Sequence, residues 1–248
     1  MIAIIIPAYN EVNYIEPTVK SLMLVAQECA LNDFEVIVID DGSNDGTGIK
    51  IAELADKYKN LVSVTHETNQ GLGAAIRSGL EVAKSPQFMV MPADNDIHPE
   101  LVKLLLSCRG QAEMILSVPF NKELRPLFRN IISMLYQFIY MSCYGVFVGY
   151  INGPGIWPTV LAQKMNLRSR RFSIISELNV KLLRSGCTYT EVPGTFQAAT
   201  KTRSTITLQN LAEVVCSFTL LFIEIHISQR KKYNEVSQRI PLFFKIKL

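Results

Sequence analysis

The chain alternates short apolar runs with polar, turn-forming clusters. Residues 2–6 and 36–39 are runs of mostly β-branched residues bounded by Pro, Asn, Asp or Gly, a pattern typical of buried parallel strands. Further strands are predicted at residues 61–65, 88–91, 114–118 and 188–192. Helical spacing of apolar residues predicts helices over residues 12–30, 44–58, 99–108 and 173–184. The glycine-bearing turn at residues 69–75 opens a further predicted helix, which runs through residue 83. This alternation predicts an α/β fold, a doubly wound, mostly parallel sheet with helices on both faces.

The second of these helices has a predicted start and a predicted inner face. Ser43 or Asn44 has the side chain expected of an N-cap residue. Ile49, Ala52, Leu54 and Ala55 follow at helical spacing, so we expect all four to face the core.

Two polar clusters stand directly after the first two strands. One is Pro-Ala-Tyr-Asn-Glu at residues 7–11, and the other is Asp-Asp-Gly-Ser at residues 40–43. Open α/β sheets bind ligands at the carboxyl ends of their strands. The two clusters are therefore expected to line one crevice.

The second half contains a long uncharged segment, with no charged residue between Arg129 and Lys164. Residues 131–151 approach the length that spans a bilayer, but polar residues and glycines interrupt them. We predict a helix at about residues 126–146 that lies near a membrane surface or in a homo-oligomer interface, followed by a strand to residue 151. A true span and an ordinary core helix are the alternatives.

A second apolar helix is predicted at residues 208–227, followed by a basic tail. From residue 228 onward, Glu235 stands against six basic residues, which are Arg230, Lys231, Lys232, Arg239, Lys245 and Lys247. An apolar helix beside basic residues is typical of proteins on an anionic leaflet. We therefore predict a main domain at residues 1–210 and a membrane-associating segment at 211–248; a solvated tail is the alternative.

Composition narrows the partners and the compartment. The net charge of +3 gives no support to nucleic-acid binding. Five scattered cysteines without a CxxC pair favour reduced thiols in the cytosol, and the N-terminus has no basic leader typical of a signal peptide. The predicted location is cytoplasmic, peripheral on the inner face of a membrane.

Acidic residues follow two predicted strands. Asp40 and Asp41 end one strand, and Asp94 and Asp96 follow another. Carboxylates this close repel each other unless a cation joins them, and Mg²⁺ or Mn²⁺ binds one or two carboxylates together with substrate phosphates. The alternative is that each aspartate caps the following helix.

Gly71 and Gly73 precede a predicted helix, with Arg77 one turn later. Backbone N–H groups at such a turn can face a phosphate. Glycines at this spacing also occur where only close packing is needed, so both interpretations stay open.

Four motifs in order carry a family resemblance: IIIPAYNE, VIVIDDGSNDGT, NQGLGAAIRSGLEVA and DND-I-HPE. Over about residues 2–118 the chain resembles glycosyltransferase family 2, within it the dolichyl- and polyprenyl-phosphate sugar transferases. The resemblance implies a GT-A fold. It also implies metal-dependent transfer of a sugar from a GDP- or UDP-sugar, with inversion, as in cell-wall biogenesis.

The resemblance also implies site residues. The nucleotide-sugar pocket would comprise Pro7, Ala8, Tyr9, Glu11, Asp41, Gly71 and Gly73. Asp94 and Asp96 match the cluster that binds Mg²⁺ or Mn²⁺, and Asp94 would also contact the donor. Tyr9 would lie beside the base, Glu11 near the ribose or base edge, and Asp41 against the base.

The sequence departs from the family at two points. Pro92 stands where the first aspartate of the metal cluster is usual, and residues 199–204 replace an Arg-Gly-Ser motif. Lys201 or Arg203 would then supply the charge on the diphosphate. The departures leave open a nucleotide-binding scaffold with impaired catalysis.

The acceptor decides which further residues are needed. A polyprenyl or dolichyl phosphate is already ionised, whereas a glycan hydroxyl in polysaccharide or lipopolysaccharide synthesis needs a general base. Glu177 matches a family glutamate and is the candidate base, with a helix-cap role as the alternative. Arg129, before the uncharged segment, is placed to meet a lipid phosphate or to snorkel at the interface.

Overall fold

A seven-stranded sheet organises the described part of the chain. The computed structural model describes residues 1–94, 97–120, 126–195 and 208–243. The strands are β1 (Ile2–Ala8), β2 (Phe34–Asp40), β3 (Leu61–Thr65), β4 (Gln87–Val90), β5 (Met114–Pro119), β6 (Gly155–Pro158) and β7 (Tyr189–Gly194). Their spatial order is β3-β2-β1-β4-β6-β5-β7. Only β6 pairs antiparallel within this sheet, with β4 and β5, so the predicted mostly parallel α/β fold is confirmed.

Helices connect the strands and cover the sheet. They are α1 (Ile15–Glu28), α2 (Thr47–Lys57), α3 (Leu72–Val82), α4 (Pro99–Cys108), α5 (Leu127–Tyr144), α6 (Thr159–Gln163), α7 (Ser173–Arg184) and α8 (Leu208–Ile223). A π-helical turn, Glu224–Ser228, continues α8. The five cysteines are free thiols, as predicted.

Two apolar cores lie on opposite faces of the sheet, because successive strand residues point to opposite sides. Ile4 and Ile6 of β1 belong to the core that contains α1 and α4 residues, whereas Ile5 belongs to the core that contains α3 and α7 residues. The prediction of helices on both faces is confirmed. The double covering also explains why the strand sequences are apolar at consecutive positions rather than at alternate ones.

The prediction of a strand ending at residue 151 is wrong. Residues 146–151 form no strand, and the chain instead forms the short strand β6 between β4 and β5. β6 has four residues, including Gly155 and Pro158, and both residue types are unfavourable in strands. A Cβ atom on Gly155 would lie 2.7 Å from the carbonyl oxygen of Ile115, so close packing against β5 requires glycine at this position. The same glycine makes the strand difficult to recognise from the sequence.

The predicted start and inner face of α2 also need correction. Neither Ser43 nor Asn44 is the N-cap, because α2 begins at Thr47 after Gly46, whose φ is +95°. Ile49 is 71% exposed and Ala52 is also exposed. Ile51 takes the core position instead, together with the correctly predicted Leu54, and Ala55 is partly buried.

The long apolar helices α5 and α8 pack against each other. The Tyr140 ring lies 5.4 Å from the Phe218 ring, the Tyr144 hydroxyl donates to the Phe218 carbonyl oxygen at 2.8 Å, and His226 Nε2 lies 2.8 Å from the Cys143 carbonyl oxygen. The pair still exposes many large apolar side chains, which we call the apolar surface of the α5–α8 pair: Leu127, Phe128, Ile131, Met134, Leu135, Phe138, Leu211, Val215 and Ile223. Among the described residues, Leu211–Ser228 is long and apolar enough to cross a membrane.

The described part of the C-terminal tail packs beside β7. Tyr189 donates its N–H to the Gln238 carbonyl oxygen at 3.0 Å and accepts from the Ile240 N–H at 2.7 Å. Arg239 forms an ion pair of 2.9 Å with Glu191. The tail is therefore held by backbone pairing as well as by charge.

Candidate active site

The turns that follow β1 and β2 are joined by hydrogen bonds. Asn10 donates its N–H to Ser43 Oγ at 3.0 Å, and Asn44 donates its N–H to Asn10 Oδ1 at 3.0 Å. Asn10 has a φ of +56°, which asparagine tolerates better than most residues. The predicted meeting of the two polar clusters at one edge of the sheet is confirmed.

The predicted pocket residues at the end of β1 and just after it differ in exposure. Ala8 is buried, and its carbonyl oxygen accepts from the Asp41 N–H at 2.9 Å. Tyr9 is 45% exposed at the strand end, so its ring can contact a ligand directly. Pro7 and Glu11 are half-buried on either side, and the Glu11 N–H is held by Thr47 Oγ1 at 2.8 Å.

Asp41 is buried and holds residues 70–73, which include the first residues of α3 and which we call the 70–73 turn. Its Oδ1 accepts from the Gln70 N–H at 2.9 Å, and its Oδ2 accepts from the Gly71 N–H at 2.8 Å. His66 Nδ1 lies 2.7 Å from the same Oδ1, and His66 Nε2 lies 2.9 Å from Ser78 Oγ. A hydrogen on Nδ1 satisfies Asp41 and leaves Nε2 to accept from the serine.

His66 is a site neighbour that the sequence analysis did not include. The signal that finds it is positional: His66 directly follows β3, which lies beside β2 in the sheet. Its ring is therefore at the same edge as Asp41.

Asp40 stabilises the turn after β2 rather than facing open space. Its Oδ1 accepts from the Ser43 N–H at 3.0 Å, and a Cβ atom on Gly48 would lie 2.5 Å from its Oδ2. Asp45 accepts from the Thr47 N–H at 3.0 Å. Both aspartates therefore stabilise the segment between β2 and α2, and Asp45 also binds the first N–H group of α2.

The 70–73 turn packs directly against residues 168–171, which we call the 168–171 loop. Gly73 donates its N–H to the Arg170 carbonyl oxygen at 2.8 Å. A Cβ atom on Gly71 would lie 2.7 Å from that oxygen, and one on Gly73 would overlap the Ser169 carbonyl oxygen. Close packing therefore explains both glycines. Their N–H groups bond to protein acceptors, so they do not form the predicted anion cradle.

Arg77 also contacts the 168–171 loop instead of an open phosphate site. Its Nη1 donates to the Ser169 carbonyl oxygen at 2.8 Å. Burial lowers the pKa of the Arg77 guanidinium, while the nearby Glu177 opposes this effect. The arginine is therefore part of the contact between α3 and the loop.

Asp94 lies beyond β4, the strand next to β1. The turn before it is held by Thr18 Oγ1, which donates to the Ala93 carbonyl oxygen at 2.7 Å. Asp94 Oδ1 is buried and has no hydrogen-bond donor among the described residues. A buried oxygen without a donor is costly, and a cation would satisfy it. Asp96 lies outside the described residues, and those described contain no group of three metal ligands.

Glu177 is buried in the first turns of α7 and anchors the 168–171 loop. Its Oε1 accepts from the Arg168 N–H at 3.0 Å, and its Oε2 accepts from the Ser169 N–H at 2.8 Å. Lys181 Nζ lies 2.8 Å from Oε1. Burial disfavours the charged form, but the charge and hydrogen bond of Lys181 and the Ser169 N–H outweigh it, so the pKa of Glu177 is lowered. This geometry favours the structural interpretation over a general base.

Lys181 links α7 to the segment after α8. Its side chain is 0% exposed and lies 3.1 Å from Glu224 Oε2, in addition to its contact with Glu177. It also donates to the Asn166 carbonyl oxygen at 2.7 Å. The i,i+4 spacing of Glu177 and Lys181 is visible in the sequence, but the third partner, Glu224, is supplied by the fold.

Arg129 lies exposed in the first turn of α5, beside the apolar surface of the α5–α8 pair. Lys201 and Arg203, the predicted diphosphate contacts, lie outside the described residues.

The comparisons with known proteins agree with this fold. Mannosyl-3-phosphoglycerate synthase from Rubrobacter xylanophilus superposes with a TM-score of 0.66 at 15% identity, over 92% of this chain and 76% of that protein. Glucosyl-3-phosphoglycerate synthase from Mycobacterium tuberculosis, solved with Mn²⁺, UDP and glucosyl-3-phosphoglycerate, superposes with a TM-score of 0.61 at 17% identity, over 89% and 79%. The chain therefore has a GT-A fold.

The sequence comparisons relate the N-terminal part of the chain to a family. Residues 3–111 match the model of glycosyl transferase family 2, so the chain resembles this family over fewer than half of its 248 residues.

Two curated relatives are lipid-phosphate sugar transferases by name. A dolichol-phosphate mannosyltransferase of Pyrococcus furiosus is 33% identical over 138 residues, which are 53% of this chain and 38% of the relative. An undecaprenyl-phosphate 4-deoxy-4-formamido-L-arabinose transferase of Aeromonas hydrophila is 31% identical over 136 residues, 54% of this chain and 41% of the relative. The chain thus spans about two fifths of the length of these relatives.

Proposed function

We propose that the protein transfers a sugar from a nucleotide sugar, with inversion, to a polyprenyl or dolichyl phosphate at a membrane surface. The observation that carries the proposal is the edge of the sheet where the exposed Tyr9 ring and the unsatisfied Asp94 oxygen follow neighbouring strands. An aromatic ring and a carboxylate that needs a cation suit the base and the diphosphate of a nucleotide sugar. The match to the family model and the named relatives support the same reaction.

The donor would occupy the crevice at the ends of β1, β2 and β4. Tyr9 would contact the base of UDP or GDP, Pro7 and Ala8 would form the floor, and Glu11 would lie near the ribose. Asp41 would act on the nucleoside mainly by fixing the 70–73 turn, because its carboxylate already accepts hydrogen bonds from that turn. Gly71 and Gly73 would support the nucleoside from below.

Asp94 and Asp96 would hold Mg²⁺ or Mn²⁺. The unsatisfied Oδ1 of Asp94 fits this group, and a bound divalent ion would neutralise charge that develops on the departing nucleoside diphosphate. Lys201 or Arg203 would add positive charge to the same leaving group.

A lipid phosphate would attack the sugar without a general base, because it is already ionised. This acceptor agrees with Glu177, whose carboxylate is buried and occupied by backbone N–H groups and Lys181. Arg129 would meet the phosphate at the start of α5. Attack opposite the leaving group inverts the anomeric centre.

The apolar surface of the α5–α8 pair would face the cytoplasmic leaflet. Exposed apolar side chains on this scale mark an interaction surface, and basic residues at 230–232 directly follow the α8 segment. In this proposal residues 1–210 form the catalytic domain and residues 211–248 attach it to the membrane.

A panel of UDP- and GDP-sugars with and without Mn²⁺, scored for binding and for transfer to a polyprenyl phosphate, tests the proposal. We expect one donor class to bind with metal and to release nucleoside diphosphate only when the lipid phosphate is present. Arg129→Ala should raise KM for the lipid phosphate several-fold, whereas Arg109→Ala, an exposed control, should not.

Two other outcomes would replace the proposal. Transfer to a sugar hydroxyl, abolished in Glu177→Gln, would assign a glycan acceptor and a general base. Nucleotide binding without turnover on either acceptor would assign a scaffold, a result that Pro92 in the metal segment would explain.

A further inference from the structure

We propose that Glu213, on the apolar helix α8, is a positioning residue for the donor site. Its carboxylate holds the 168–171 loop, and the loop in turn fixes the 70–73 turn. The inference rests on the proposed function, because it assumes that the 70–73 turn supports a nucleotide.

The first step is the contact between Glu213 and the loop. Glu213 Oε1 accepts from the N–H groups of Arg170 at 3.2 Å and Arg171 at 3.4 Å, and from Ser217 Oγ at 2.9 Å. Its Oε2 accepts from Ser173 Oγ at 3.1 Å. The carboxylate therefore binds N–H groups just before α7 and lies close to the helix N-terminus, where the helix dipole favours negative charge.

The second step is the way in which the loop is held between two sets of partners. Glu177 accepts from the first two N–H groups of the loop, and Glu213 accepts from the last two. The carbonyl oxygens of Ser169 and Arg170 accept from α3, through Arg77 Nη1 and the Gly73 N–H. Two carboxylates on the N–H groups thus fix the carbonyl groups that meet the donor-side turn.

The third step is the tight fit between the loop and the turn. Adding even a Cβ atom to Gly71 or Gly73 would bring it against the loop carbonyl groups, so the two segments cannot shift independently in that direction. On its other side the turn is bound to Asp41 through the N–H groups of Gln70 and Gly71. A displacement of the loop would therefore reach the crevice through direct contacts.

Glu213 differs from Glu177 in where it lies along the chain. Glu177 belongs to α7, the helix that directly follows the loop. Glu213 belongs to α8 and lies 43 positions after Arg170 in the sequence. A shift of α8 against the rest of the fold would therefore change the position of the 168–171 loop, and through it the geometry of the donor site. Arg168, Arg170 and Glu213 also line a cleft of about 210 Å³ between the loop and α8.

Binding and hydrogen exchange together test this role in the full chain. UDP with Mn²⁺ and GDP with Mn²⁺ are titrated into the wild type, Glu213→Ala, Glu213→Gln and Tyr144→Phe. Amide exchange is followed over residues 68–76. Tyr144→Phe is the matched control, since it removes the hydrogen bond from α5 to the α8 backbone at Phe218 and leaves the 168–171 loop untouched.

We expect Glu213→Ala to weaken binding of the preferred nucleotide about tenfold, the order of a lost charged hydrogen-bond acceptor, and to speed exchange over residues 68–76. Glu213→Gln keeps one acceptor oxygen and should lose less, and it supplies the answer if the alanine variant does not fold. Tyr144→Phe should match the wild type in both measurements.

The inference is overturned if Glu213→Ala and Glu213→Gln bind like the wild type, if exchange over residues 68–76 is unchanged, or if Tyr144→Phe weakens binding equally. A wild type that binds neither nucleotide would instead overturn the proposed function, and this inference with it.

Discussion

Asp41 Oδ2 accepts the N–H of Gly71 at 2.8 Å and thereby joins the end of β2 to the turn that precedes α3. The aspartate is buried, and its other oxygen accepts from Gln70 and lies beside His66. Asp41, a residue of the proposed nucleotide pocket, thus also fixes the 70–73 turn. Its replacement should affect stability and binding together.

Asp41→Asn should lower the free energy of unfolding by about 1–3 kcal/mol, because the amide NH2 replaces one of the two acceptor oxygens and leaves one of the two backbone N–H groups unsatisfied. Urea unfolding measures the loss, and nucleotide titration should show weaker binding. Asp56→Asn, at an exposed position of α2, is the control and should change neither quantity. An Asp41→Asn variant as stable as the wild type would show that these hydrogen bonds contribute little.

Lys181→Met should destabilise the fold by about 3–5 kcal/mol, because it leaves the carboxylates of Glu177 and Glu224 buried without their cation. Chemical denaturation measures the effect. Lys20 forms an i,i+4 pair with Glu16 at the same 2.8 Å, but the Lys20 side chain is 52% exposed. Lys20→Met should therefore cost far less stability than Lys181→Met. Equal losses in the two variants would contradict the role assigned to burial.

The contribution of Glu177 to stability should depend on pH. Because its pKa in the folded state is lower than the ordinary value of 4.5, ionised Glu177 stabilises the fold above about pH 4.5. This contribution declines as the pH falls from there through the lower pKa of the folded state. The stability difference between the wild type and Glu177→Gln should accordingly shrink in denaturation curves recorded at successively lower pH. A difference that grows toward acid would reverse the sign of the shift.

Phe138→Glu should weaken attachment to anionic liposomes in flotation assays, because it places a charge on the apolar surface of the α5–α8 pair. Burial of one large apolar side chain contributes about 1.5–3 kcal/mol, so roughly a tenfold fall in partitioning is expected. Ile49→Glu is the control, since Ile49 is equally exposed on α2, outside the pair. Equal flotation of both variants and the wild type would point to a contact between copies of the chain instead.

The sequence predicts most of the sheet but misses elements that depend on close packing. β1 and β2 are recognisable because burial on both faces requires continuous apolar residues. β6 is hidden because its position between β4 and β5 requires Gly155. Helical spacing alone does not settle whether Ile49 or Ile51 is buried, so the prediction that Ile49 faces the core is wrong.

The site was predictable to the extent that it follows strand ends. The turns after β1 and β2 could be placed at one edge because parallel strands end together. The role of Arg77 could not, since its partner is the Ser169 carbonyl oxygen, 92 positions away. The same holds for Glu213 and Glu224, whose partners are brought to them only by the docking of α8.

The short pairing between the C-terminal tail and Tyr189 also bears on self-association. β7 is the last strand of the sheet, and outer strands recruit strands from neighbouring molecules through their open N–H and C=O groups. Residues 238–240 occupy both of these groups of Tyr189. A chain shortened before Gln238 would leave them open and would be more prone to aggregate through this side of the sheet.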